Sequence, residues 1–305
     1  MLALLKKTCP TCTESSQRTY YQSILALSRF AGHDEIPKGP KWLNAALLGK
    51  LKKLPLHRYK RFTIGGVKAL KAYGVDPDKN EVSKLWWRGM RDATDKYTKI
   101  RLTGKRTKRE SERWPKGGYA AIGKLAKQLH EEVAHIEKIR KPSEWEHYLY
   151  QRYVIVLFYA HHALRGDLAD VRLRKGKGDD SWLLQTKKGW KIHIGHHKTI
   201  KSRGAIELEL DGPVARAFDI FVPMARARKK HPFLLSTSRG KRLLRQDMLK
   251  LFSRTTSKYL GKRIGIQILR VLKTTSHASN IADSVKLQNE MGHSAAMQQQ
   301  YISRK

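Results

Sequence analysis

The sequence predicts a mainly α fold with a small three-stranded antiparallel sheet, divided into two domains. Three observations carry this. Apolar residues recur at helical spacing over most of the chain, as in Tyr20, Ile24, Leu27 and Phe30. Three short alternating runs cluster together: Trp182-Leu183-Leu184-Gln185, Trp190 to Ile194, and Ala205 to Leu210. A dense basic stretch from Arg101 to Lys116 closes on Pro115, Lys116, Gly117 and Gly118, which is the chemistry of a linker.

In chain order, residues 1–14 read as a flexible arm. Ser15-Ser16 offers a cap to a first helix that Gly32 ends, and Pro37-Lys38-Gly39-Pro40 is a turn. A second helix carries Trp42, Leu43, Ala46 and Leu47 and stops at Pro55. A third runs from about Thr63 to Tyr73, and a fourth begins near Lys79 with Val82, Leu85, Trp86 and Met90. Residues 15–105 thus form a helical bundle with basic edges, and 106–118 a basic linker. The run is either a solvated charge cluster or a hinge that tracks a polyanion.

The second domain, 119–305, opens with Ile122, Leu125, Leu129 and Val133 at helical spacing. Ser143 and Glu146 make a capping-box pair ahead of a helix from Trp145 to Leu164. That helix is apolar nearly all round, so it is the expected core of the domain. After the three strands, 213–229 reads as helix, His231 to Leu235 as an extended piece and Ser238-Arg239-Gly240 as a turn. The helix Arg245 to Leu260 offers Met248, Leu251, Phe252 and Tyr259 to the core, and Gly261 and Gly265 bracket the turn into Gln267.

The 305 residues carry a formal charge of +37, from 63 Lys and Arg against 26 Asp and Glu, spread along the chain. A charge of that size repels itself in a free globule and points to a polyanionic partner, with nucleic acid first. No long basic amphipathic segment or lipidation motif suggests a membrane surface. The apolar starts at Met1–Leu5 and Tyr153–Tyr159 are too short for a signal core or a span. The expectation is a soluble, intracellular protein. Cys9 and Cys12 supply only two of the four ligands that structural zinc needs, and His33 is distant, so two free thiols are expected. His193, His196 and His197 lack carboxylates or thiolates at ligand spacing, and no metal is expected there either.

The stretch from Gln267 to Tyr301 carries the chemistry. It reads Gln267-Ile268-Leu269-Arg270, a helical run, Met291-Gly292-His293-Ser294, and then a single tyrosine, Tyr301. Arginine clamps an anionic oxygen with a rigid fork of donors, histidine moves protons near neutral pH, and tyrosine can serve as a covalent nucleophile. Together they suggest chemistry on a phosphate.

Leu269-Arg270, Gly292-His293-Ser294 and Tyr301 resemble the C-terminal boxes of the tyrosine recombinase, or phage integrase, family. The family pattern is His-x-Leu-Arg, a helix pair, Gly-His-Ser or Gly-His-Thr, then Tyr. Gln267 departs from it: glutamine can donate a hydrogen bond to a phosphate oxygen but cannot carry a proton. Ala163-Leu164-Arg165-Gly166-Asp167-Leu168 resembles the first arginine box, and Arg165 is the candidate first arginine, with Asp167 or Asp170 to hold its guanidinium. The resemblance spans roughly 119–305, and the wording is most similar to integrases of eukaryotic mobile elements and their viruses.

The resemblance implies a helical N-terminal DNA-binding domain and a tyrosine-recombinase catalytic domain. It implies a catalytic lysine in His196-His197-Lys198-Thr199-Ile200-Lys201, which falls on Lys198, with Lys201 as the alternative. The implied catalytic set is Arg165, Lys198, Gln267, Arg270, His293 and Tyr301, with no cofactor and no metal. Duplex DNA is the implied partner, a homotetramer on DNA the implied assembly, and cytoplasm or host nucleus the implied location. A type IB topoisomerase, a telomere resolvase and a catalytically silent DNA-binding protein of the same fold remain alternatives.

Overall fold

A computed structural model describes the chain apart from residues 77, 177, 179, 188, 198, 201–203, 229–230, 293 and 304–305, and the side chains of 281 and 296. Lys198, Lys201 and His293, singled out above, therefore lie outside the described residues. Two compact units divide the chain, Met1–Thr103 and Gly104–Lys305. The architecture is mainly helical with one small three-stranded antiparallel sheet.

In the first unit, short polar side chains start three of the helices. Thr13 Oγ1 accepts the amide of Ser16, so α2 (Glu14–Phe30) is capped by Thr13 and not by Ser15. Asn44 caps α3 (Ala45–Lys52) and Asn80 caps α5 (Glu81–Leu102) in the same way. α4 spans Leu56–Ala72 and begins about two turns before the expected Thr63. The charged stretch after Pro55 hides a buried face, in which Tyr59 and Phe62 precede Thr63.

The flexible arm expected over 1–14 is corrected. α1 (Leu2–Thr8) precedes α2, and Leu5 is buried in the core of this unit with Ile24, Leu27 and Phe62. Burial of one leucine on an amphipathic turn holds the segment. Cys9 and Cys12 are joined as a disulfide in place of the free thiols expected. The turn after α1 brings their Cα atoms to 5.3 Å, within bridging reach. Gln17 Nε2 donates to both their carbonyls, at 3.3 and 3.2 Å.

Trp86 fills the centre of this unit, fully buried, and its Nε1 donates to the Leu43 carbonyl at 3.2 Å. Gly66 on α4 lets its ring lie against the helix: a Cβ there would fall 2.2 Å from Trp86 Cζ3. Gly66→Ala is expected to lower stability by about 1–3 kcal/mol through overpacking. Urea unfolding followed by tryptophan fluorescence checks this, and a midpoint equal to that of the parent would contradict it.

In the second unit, the stretch expected as a linker belongs to the folded body. α6 (Lys108–Arg113) starts with a Thr107–Glu110 capping box, and the Arg106 guanidinium lies 3.7 Å from the Trp114 ring centroid. Trp114 in turn packs on the main core. α7 (Ala120–Val133) and α8 (Glu144–His161) pair as the central layer. The Ser143–Glu146 capping box forms as the sequence predicts. α8 ends three residues before the expected Leu164, and apart from exposed Trp145 its length is largely buried.

The sheet pairs β1 (Trp182–Thr186), β2 (Gly189–Ile194) and β3 (Ile206–Leu210) in sequence order. Trp182 lies opposite His193, and Ile194 opposite Ile206. Ile206, Leu208 and Leu210 point inward while Glu207 and Glu209 face solvent, the period-2 pattern of a one-sided sheet. α9 (Gly212–Ala227), α10 (Arg245–Leu260), α11 (Ile266–Ser276), α12 (Ile281–Met291) and α13 (Ala295–Gln299) complete the unit. Among the described residues, no helix is long and apolar enough to cross a membrane.

Candidate active site

The chain leaves α8 at His162 and runs extended to Arg165, which is half-buried. The fully buried Tyr159 hydroxyl donates to the Arg165 carbonyl at 2.6 Å, fixing the backbone that carries the guanidinium. Burial holds the Tyr159 phenol well above its ordinary range, with nearby Asp167 adding to the effect, so it remains a donor at any working pH. A single 3₁₀ turn, Gly166–Asp170, follows.

The carboxylates of that turn are engaged differently from the expectation. Arg245, at the start of α10, donates to Asp167 at 2.6 Å and to Asp170 at 2.9 Å, and Arg242 donates to Asp170 at 2.7 Å. Asp167 and Asp170 therefore anchor the turn to α10. Sequence reasoning missed Arg242 and Arg245. The available signal was the pair of acids three residues apart on one tight turn, which demands a shared cationic partner. Gly166 permits the approach, since a Cβ there would fall 2.7 Å from Arg245 Cγ.

α11 carries Gln267 and Arg270 one turn apart. Gln267 is exposed, whereas Arg270 is only 1% exposed. The Arg270 guanidinium donates to the Met291 carbonyl at 3.3 Å, and its Cζ lies 5.4 Å from the centroid of the Tyr301 ring. Burial pushes the guanidinium well below its ordinary range, to about 10; Arg165 adds to the fall, while Tyr301, Asp167 and Tyr159 oppose it. Arg165, Arg270, Asp167 and Tyr301 thus share one electrostatic neighbourhood. Arg270 keeps its charge at neutral pH.

Tyr301 follows α13 and is half-buried, packed on Ala163, Leu287 and Met291. Its amide donates to the Gln298 carbonyl at 2.8 Å. Beyond it the chain is fastened to its own unit: the Ser303 amide donates to Thr275 Oγ1 at 2.9 Å, and Arg106 Nε donates to Ser303 Oγ at 3.0 Å.

The β2–β3 connection reaches the same place. His197 is buried, and its ring nitrogens lie 3.1 Å from Thr199 Oγ1 and 2.8 Å from the Gly204 carbonyl. Thr199 Oγ1 donates to the Gly292 carbonyl at 3.3 Å. Gly292 ends α12 in the left-handed region, φ 60°, and a Cβ there would meet Thr199 Oγ1 at 2.9 Å. The sequence neighbours of Lys198 therefore touch the sequence neighbour of His293. His193, for its part, bonds Glu207. Among the described residues, no group of three or more His, Cys, Asp or Glu is placed to hold a metal ion.

One end of one helix is thus a meeting point. Met291 and Gly292 receive Arg270, Tyr301 and the β2–β3 connection. The arrangement places buried positive charge beside a phenol, which suits an anionic substrate that a tyrosine oxygen could attack.

No family model matches the chain, and no curated protein matches it by sequence. Among solved structures it is similar to the crystal structure of XerA recombinase, at 13% identity and a TM-score of 0.45, over 100% of this chain and 93% of that one. A likeness of that degree carries no argument about activity.

Proposed function

We propose that the chain is a site-specific DNA recombinase or integrase that cuts and rejoins duplex DNA through a 3′-phosphotyrosyl intermediate. The observation that carries this reading is the convergence of Arg270, Tyr301 and the Thr199 connection on Met291 and Gly292. The order of the sequence boxes and the charge of +37 support it. Tyr301 Oη attacks phosphorus as its proton passes to water, the bond to the 5′-oxygen breaks, and the 5′ strand end departs as a hydroxyl. Arg165 and Arg270 stabilise the charge that grows on the non-bridging oxygens, with Gln267 and His293 as further donors. Lys198, or Lys201, protonates the leaving oxygen. The phosphotyrosyl bond retains the energy of the phosphodiester, so religation to another 5′-end needs no nucleotide cofactor.

The Met1–Thr103 unit, rich in Lys and Arg, is the natural grip on one face of the duplex, and concerted cutting of two duplexes calls for a homotetramer. Each phosphate neutralised adds about 0.9 to the salt slope of binding.

The test uses sites captured from a random duplex library, rebuilt as nicked suicide substrates. The expected result is a covalent protein–DNA adduct that Tyr301→Phe abolishes while duplex binding persists. Binding on its captured site with no adduct would establish a catalytically silent DNA-binding protein. Relaxation of any supercoiled plasmid without sequence preference would replace recombination by a topoisomerase activity.

A further inference from the structure

α12 ends at the meeting point, yet apolar packing holds it weakly. Its buried apolar side chains, Leu287 and Met291, form a small cluster with Ala163, separate from the main core of the unit. Along its length, Asp283, Lys286 and Glu290 line a cavity of about 880 Å³ that Lys273 and β3 also border. Something else must set the position of this helix.

A buried ion pair is placed to do so. Lys273 on α11 and Glu290 on α12 have side chains only 8% and 10% exposed. Lys273 Nζ donates to both Glu290 oxygens, at 3.1 and 3.2 Å, and to the His161 carbonyl. Glu290 Oε1 also accepts the Ala163 amide at 2.5 Å. Three segments are joined: α11, α12 and the chain leaving α8. Two of them carry a candidate catalytic arginine close by, and the third carries the carbonyl that one of these arginines donates to. Arg270 lies one helical turn before Lys273, Arg165 two residues after Ala163, and Met291, which accepts from Arg270, directly after Glu290.

We propose that Lys273 and Glu290 are positioning residues that set the two arginine-bearing segments in register with Tyr301. They touch no substrate. The inference rests on the phosphotyrosyl reading for its effect on rate, and on this geometry alone for its effect on α12. Two buried charges are a poor way to gain stability, because their desolvation offsets their attraction. Their use here is explained if they fix geometry, since a misplacement of an ångström can slow a reaction greatly.

The test compares Lys273→Met, Glu290→Gln and the conservative Lys273→Arg with the parent. The first two are expected to slow adduct formation about 10²-fold with the duplex dissociation constant unchanged. Lys273→Arg, which keeps the charge and the donors, is expected to recover most of the rate. Independently of any cleavage, amide exchange over residues 281–291 should quicken roughly tenfold in Glu290→Gln while the Met1–Thr103 unit keeps its protection. Variants that cleave at the parental rate would overturn the proposal, as would variants that lose binding and cleavage in equal measure. If the parent forms no adduct, the phosphotyrosyl reading fails and the exchange measurement still decides the clamp: unchanged protection over α12 rejects it.

Discussion

Arg270→Met is expected to give a protein that unfolds no more easily than its parent and cleaves DNA on the order of 10²–10³-fold more slowly. The two halves of this result have different physical origins. Arg270 is 1% exposed, and burial lowers its guanidinium well below its ordinary range, to about 10. That shift corresponds to roughly 3 kcal/mol of cost for holding the charge in the folded state. Below pH 10 the group is charged folded and unfolded, and the whole cost is present. As pH rises past about 10, the folded protein releases the proton while the unfolded chain still holds it, so stability rises there. Methionine removes the cost at every pH and forfeits the hydrogen bonds of the guanidinium, the one to the Met291 carbonyl among them. The relieved desolvation and the lost bonds oppose each other, and the expectation near neutral pH is a stability no lower than the parent's. Urea unfolding of parent and variant, with single-turnover cleavage, measures both halves. A variant markedly less stable than the parent would show that Arg270 is structural and remove the argument for a functional charge.

Arg245→Ala should be the most damaging surface substitution in the second unit. Arg245 is partly exposed, at 41% of its side chain, but its partner Asp167 is buried at 3%. Removing the arginine leaves a carboxylate in a dry site, where loss of one member of such a pair costs about 3 kcal/mol or more. Arg242 reaches Asp170 and not Asp167, so it is no substitute. The turn that loosens is the one that follows Arg165, so cleavage should fall with stability. Asp167→Asn in the Arg245→Ala background should restore much of the loss, because the stranded charge has gone. A double-mutant cycle by urea unfolding gives the coupling. Additive losses in that cycle would mean that the ion pair does not hold the turn.

The local layers of this fold were legible and the tertiary ones were not. The Ser143–Glu146 box, the period-2 strands and the helix over Arg245–Leu260 are written in residues a few places apart, and the structure has them there. The α4 start was missed because the apolar face of residues 56–62 is masked by Lys, Arg and His between its buried members. The helix at Leu2–Thr8 was missed because a single leucine anchors it and the pocket that receives it comes from α4 and α2. In the site, proximity of Arg270 and Tyr301 was inferable from the order of the boxes. No periodicity reports that Asp167 serves Arg245, or that Lys273 meets Glu290. Such pairs depend on where helices cross, which sequence spacing does not state. Lys198 and His293 remain proposals resting on the resemblance and on their neighbours' contacts with each other.

The residues after the phenol have a bearing on how copies cooperate. Thr275 and Arg106 bind Ser303 within a single polypeptide, and the ring of Tyr301 rests beside that polypeptide's own Arg270. Under the proposed chemistry this arrangement corresponds to a cutter whose phenol and guanidinium come from one protomer. Blending a population that lacks the phenol with one that lacks the guanidinium is expected to restore no cleavage, and recovery would show that the terminal segment is exchanged between copies.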